Sequence, residues 1–116
     1  MTTRSLTGAS IHAIILAILE SGDSYGYDII QRVRQLSDGE VDWAAGSLYP
    51  VLHRMKTNGW IEDYWVEPDG ERRRRYYRIT ARGRAALEEK TGEWMVIHRI
   101  LEQLRQVPPT GAESIG

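Results

Sequence analysis

AAGSLYPVLHRMKTNGWIEDYWVEPDGERRRRYYRI, residues 44–79, is the stretch that decides the fold. Leu48, Val51, Leu52 and Met55 recur at helical spacing and make an inward face, leaving Ser47, Tyr49, Pro50, His53, Arg54 and Lys56 on the outer side. Asp42 and Ser47 are both good capping residues, so the helix begins between them. With Ser47 as the cap, Pro50 falls in the first turn, where its missing N–H is harmless; with Asp42, one hydrogen bond near Gly46 is lost. Asn58 and Gly59 stop the helix. From Trp60 the period drops to two: Ile61, Asp63 and Trp65 alternate with Trp60, Glu62, Tyr64 and Val66, and Pro68, Asp69 and Gly70 form a turn. The returning strand opens with four arginines. It sends Arg73, Arg75, Tyr77 and Ile79 to one side and Arg72, Arg74, Tyr76 and Arg78 to the other.

A helix followed by a basic hairpin suits double-stranded DNA, the helix entering the major groove while the hairpin reaches phosphates beside it. Ser47, Tyr49, Pro50, His53, Arg54 and Lys56 are the candidate contacts on the helix, where the N-terminal dipole also favours phosphate. Arg72, Arg73, Arg74 and Arg75 are the candidates on the wing. A charge run is often only a solvated face, but four like charges in series repel one another unless a polyanion is present. Glu67, Asp69 and Glu71 lie close enough to blunt the field.

The rest of the chain reads as support. Ile11, Ile14, Ile15, Ile18 and Leu19 mark a buried first helix ending at Gly22. Ser24 is a candidate cap for a second helix with Ile29, Ile30, Val33 and Leu36 as its apolar stripe. Thr80 caps a long last helix that runs without proline until Pro108. A heptad counted from Leu87 puts Leu87, Trp94 and Leu101 at one core position and Lys90, Ile97 and Leu104 at the other, with Ile100 adjoining. Such a helix cannot hide its own stripe, and a second copy of itself is the simplest cover. The expected fold is mostly α with a small antiparallel hairpin: a winged helix-turn-helix over 1–80, a dimerisation helix over 81–106, and a disordered tail over 107–116.

The 116 residues make one modest domain, 41% hydrophobic and 27% charged. The net charge of −1 hides a division: −3 over residues 1–50, +3 over 51–90 and −1 over 91–116. There is no cysteine, hence no disulfide frame or thiolate site, which suits a reducing cytoplasm. The apolar run from Ile11 to Leu19 is about half of what spans a bilayer, and no small-x-small cleavage site follows it. His12, His53 and His98 are scattered without metal-ligand spacing, and the His98/Glu102 pair alone makes no metal site. No nucleophile, base and orienting group stand together, so an enzyme is not indicated, nor is a cofactor.

Four blocks in order, Tyr25-Gly26-Tyr27-Asp28-Ile29, Gly46-Ser47-Leu48-Tyr49-Pro50-Val51-Leu52-His53-Arg54-Met55, Asn58-Gly59-Trp60-Ile61 and Arg75-Tyr76-Tyr77-Arg78-Ile79-Thr80-Ala81-Arg82-Gly83, resemble the signature of the PadR family of bacterial transcriptional regulators. The resemblance covers about residues 8–105. The single short C-terminal helix is similar to the smaller branch, which includes multidrug-sensing repressors. It implies a homodimeric repressor on a pseudo-palindromic operator, released by phenolic acids, planar cationic drugs or other effectors. Trp94 has two readings: a packing knob, or, as in the multidrug-sensing relatives, a surface on which a planar aromatic effector stacks. Ile11, Ile14, Ile15, Val96, Ile97 and His98 are candidates to line the same space. The competing reading is a winged-helix adaptor that binds a protein through its hairpin, without sequence-specific DNA binding.

Overall fold

The computed structural model describes residues 8–68, 70 and 72–106; the tail from Val107 and the turn residues Asp69 and Glu71 lie outside them. In chain order the elements are α1 (Gly8–Glu20), β1 (Ser24–Tyr25), α2 (Gly26–Leu36), α3 (Ala45–Thr57), β2 (Ile61–Val66), β3 (Arg74–Ile79) and α4 (Ala81–Gln106). The fold is mostly helical with a small antiparallel sheet. Ile15, Leu16 and Leu19 from α1, Ile29 from α2, Leu48, Leu52 and Met55 from α3, and Ile61 from β2 are all fully buried in one core.

The hairpin is joined by a strand that periodicity could not reveal. Ser24 and Tyr25 pair with Tyr77 and Tyr76, giving the antiparallel order β1-β3-β2. Ser24 therefore does not cap α2. The residue flanking that helix is Tyr25, and Ser24 Oγ instead donates to Asp28 Oδ2 at 2.5 Å. Ile29 and Val33 face the core, but Leu36, expected in the same stripe, is 76% exposed at the end of the helix. The chain reverses there through Asp38 and Gly39, both at positive φ, with Gly39 N–H donating to the Arg34 carbonyl at 2.8 Å.

Neither Asp42 nor Ser47 caps α3. Ala44 does so with backbone alone: extended at φ −88° and ψ 148°, its carbonyl accepts from Ser47 and Leu48 N–H at 3.0 Å. Pro50 is thus the sixth helical residue, and the Gly46 carbonyl loses its partner at an exposed position. The C-terminus follows expectation. Trp60 N–H donates to the Met55 carbonyl at 3.0 Å and Gly59 N–H to the Lys56 carbonyl at 2.9 Å, a Schellman ending made possible by Gly59 at φ 78°.

That ending delivers the chain straight into β2 and ties it to α4. Thr80 N–H donates to the Trp60 carbonyl at 3.0 Å, Thr80 Oγ1 donates to the Gly59 carbonyl at 2.6 Å, and Gly83 N–H donates to Thr80 Oγ1 at 3.0 Å. Thr80 is the expected helix cap. The Trp60 ring meets His12 of α1 edge-on at 5.4 Å and Lys90 of α4 at 5.0 Å. β3 begins at Arg74, so Arg72 and Arg73 precede the strand rather than open it. Among the described residues no helix is long and apolar enough to cross a membrane.

A methyl group on Gly83 would overlap the Trp60 carbonyl oxygen and meet Ile79 Cγ1 at 2.8 Å. Gly83→Ala is therefore expected to destabilise the protein by about 1–3 kcal/mol through overpacking, despite alanine's better helix propensity. Urea unfolding checks this, and an unchanged or raised midpoint would refute it.

Candidate nucleic-acid interface

Leu48, Val51, Leu52 and Met55 turn α3 inward as its sequence pattern requires, and Ser47, Tyr49, Pro50, His53, Arg54 and Lys56 are all exposed. α2 lies close to α3 because residue 26 lacks a side chain: a Cβ there would stand 3.1 Å from the Tyr49 hydroxyl. Between α3 and the wing opens a cleft of about 650 Å³, walled by Tyr25, Tyr27, Tyr49, Trp65 and Arg72 to Arg75. A second, of about 370 Å³, brings together Tyr49, Pro50, His53, Lys56 and Arg75. Ser47 and Arg54 line neither cleft. Arg54 instead acts on the His12 side of α3. His12 is held below its ordinary 6.5 by burial first, then by the charges of Lys90 and Arg54.

Arg73, Arg74 and Arg75 do not hang free. The guanidinium carbons of Arg73 and Arg75 lie 4.3 and 4.9 Å from the centroid of Trp65, and that of Arg74 lies 4.6 Å from Tyr25. Arg78 lies 5.1 Å from Tyr64, whose hydroxyl donates to Asp23 at 2.5 Å and whose pKa is raised chiefly by that bond. Cation–π contacts of this kind are worth about 0.5–1 kcal/mol at exposed sites and restrict long side chains.

One carboxylate joins helix to wing. Asp63 of β2 receives Lys56 Nζ of α3 at 3.0 Å and Arg75 Nε of β3 at 3.4 Å. The Asp63 side chain is only 16% exposed, so water and salt screen these pairs less than ordinary surface ion pairs. The hydrogen bond from Lys56, reinforced by both cations, holds the Asp63 carboxyl below its ordinary 3.8, against the opposing effect of burial. By contrast the Arg78–Glu62 pair at 3.3 Å is open to solvent on both sides.

Asp63, Trp65 and Tyr25 were not among the expected contacts, although Tyr25 opens the first of the four signature blocks. Alternation alone put Asp63 and Trp65 on one face of β2 and Arg73 and Arg75 on one side of the returning chain. Only the pairing Asp63↔Tyr77 and Trp65↔Arg75 makes those two faces the same.

Of the candidate effector residues, Trp94 is 51% exposed, His98 is exposed and Ile11 half-buried. Ile15 has no exposure at all and belongs to the core, which removes it from any surface that a ligand could reach in the folded chain. Leu87 is likewise buried within its own chain. Ile97, Ile100, Leu101 and Leu104 are between 47% and 64% exposed.

A helix pair flanked by a basic wing, with a long helix leaving the far end, defines the class of winged helix-turn-helix regulators. Residues 15–89 match the family model of the PadR-like transcriptional regulators, and the chain belongs to that family. Its members regulate transcription and are not enzymes. An uncharacterized protein of Lysinibacillus sphaericus is 29% identical over 102 residues, covering 88% of this chain and 94% of that one. A transcriptional regulator from Clostridium thermocellum superposes with TM-score 0.73 at 34% identity, over 82% of this chain and 92% of its own. A PadR family transcription regulator from Clostridium difficile does so with TM-score 0.71 at 33% identity, over 81% and 96%.

The Asp63 pairing has a pH signature. A carboxyl whose folded pKa is depressed stabilises fully above its unfolded value, and the stabilisation is lost as pH falls through the folded pKa. The difference in unfolding free energy between wild type and Asp63→Asn is expected to stay constant from neutrality to about pH 5, then to close progressively in more acid solution. Urea melts across that range test it, and a difference independent of pH contradicts it.

Proposed function

We propose that this PadR-like regulator is a repressor that binds a pseudo-palindromic operator as a homodimer in the cytoplasm. The observation that carries the reading is the adjacency of the exposed face of α3 to a cation-lined wing, with Lys56 and Arg75 meeting at one carboxylate. Tyr49, Pro50, His53 and Lys56 enter the major groove together with Ser47, while Arg72 to Arg75 contact the neighbouring backbone. With arginine or lysine base readout limited to a few positions, sequence preference rests partly on DNA shape.

Replacing Arg73 and Arg75 by Glu tests the wing. Contact with four phosphates per dimer predicts a log–log salt slope of about −3.6, at ~0.9 per phosphate. The double variant is expected to lose binding to every duplex in a fluorescence anisotropy titration. Retained binding with an unchanged slope would leave the wing without a role in gripping DNA.

Dimerisation is supported by the apolar stripe of α4, where Trp94, Ile97, Ile100, Leu101 and Leu104 are each about half exposed or more in a single chain. A stripe of that size is unfavourable in water and is covered most simply by its own copy. In that pairing Trp94, with His98 and Ile11 nearby in the assembled dimer, forms the surface on which a planar aromatic effector stacks. The effector acts by altering the angle between the two reading heads, since half-sites one turn apart are both engaged only in the right geometry. Ile97→Glu combined with Leu101→Glu is expected to give folded monomers in analytical ultracentrifugation and to abolish quenching of tryptophan fluorescence by a planar aromatic cation. Dimers that persist in this variant would refute the assignment of α4.

A further inference from the structure

We propose that Asp63 is a specificity-determining positioning residue: its carboxylate tethers Lys56 of α3 and Arg75 of the wing at one spacing and repels phosphates that arrive elsewhere. This deepens the DNA-binding reading and rests on it.

The geometry is a fork. Two cations from different elements converge on one carboxylate at 3.0 and 3.4 Å, and the carboxylate sits mostly out of solvent while the cations are about half exposed. Lysine has three donors and arginine five, so each keeps donors for a phosphate while still bonded to Asp63. A phosphate at the fitting position meets both cations without displacing the carboxylate. A phosphate out of place must pull one cation away and then faces an unpaired negative charge. Correct and incorrect duplexes are thereby separated by a repulsive element as well as an attractive one.

Arg75 is further held by Trp65, so releasing Asp63 would free Lys56 more completely than Arg75. Without the tether a lysine reaches phosphates over the whole swing of its side chain. Non-specific affinity, which follows the number of available cations, then rises while the preference for one site falls.

The test uses the full chain and two duplexes: one enriched by the wild-type protein from a random-sequence pool, and a shuffled duplex of the same composition. Asp63→Asn is expected to bind the shuffled duplex about tenfold more tightly, with a salt slope steeper by about 0.9 for each cation freed, and so to lose about tenfold in discrimination. Asp63→Glu, which keeps the charge on a longer arm, is expected to retain the wild-type slope. Discrimination and slope unchanged in Asp63→Asn overturn the proposal, as does a parallel loss on both duplexes, which marks a merely structural role. Should Asp63→Asn fail to fold by circular dichroism, Lys56→Gln decides: it must weaken the enriched duplex at least about tenfold more than the shuffled one, and equal weakening overturns the proposal. Wild-type protein that enriches no sequence and binds neither duplex at low salt sinks the DNA-binding reading itself, and this inference with it.

Discussion

Four segments meet at the peptide of Trp60. Its N–H closes α3 on the Met55 carbonyl, its own carbonyl receives the first amide of the turn into α4, and its ring meets both His12 of α1 and Lys90 of α4. The next residue, Ile61, begins β2 in the core. The end of the exposed helix, the root of the wing and the start of the long helix therefore cannot move independently. Gly59 and Gly83 are the concessions this junction demands, one at positive φ, the other against the Trp60 carbonyl where no Cβ fits.

From that fixed root the charge distribution follows. Acidic residues dominate the first half of the chain and basic ones gather in the hairpin, yet the cations are not merely accumulated. Several are restrained by something within reach: Arg73 and Arg75 by Trp65, Arg74 by Tyr25, Lys56 and Arg75 by Asp63. Restraint reduces the ordering entropy lost when a polyanion binds, the usual advantage of preorganisation. It also explains how a protein with net charge −1 can present a cationic face, since potential depends on where charges stand rather than on their sum.

Much of this was readable from residues alone, for identifiable reasons. Asn58-Gly59 after an apolar helical stripe and Thr80 before a proline-free run are local signals, and local hydrogen bonds determined both boundaries. β1 was not readable, because two residues, Ser24 and Tyr25, carry no periodicity and their partners lie about fifty positions away. The start of α3 falls between Asp42 and Ser47 as expected, but the capping residue was not readable, because Ala44 uses only its backbone where polar neighbours offered themselves. At the interface the arginines were evident, whereas Asp63 and Trp65 acquire meaning only through strand pairing. Heptad counting placed Leu87 on the stripe to be shared between subunits. The helix enters the core of its own chain for two turns before it leaves, and Leu87 falls within them.

In the proposed homodimer two such heads, joined through α4, address one face of a duplex. Hydroxyl-radical footprinting of the complex, on a site selected from random DNA, measures this most directly. Two protected patches of equal strength are expected, about one helical turn apart or a whole multiple of it, on the same side of the duplex. A single patch, or two on opposite sides, would contradict it.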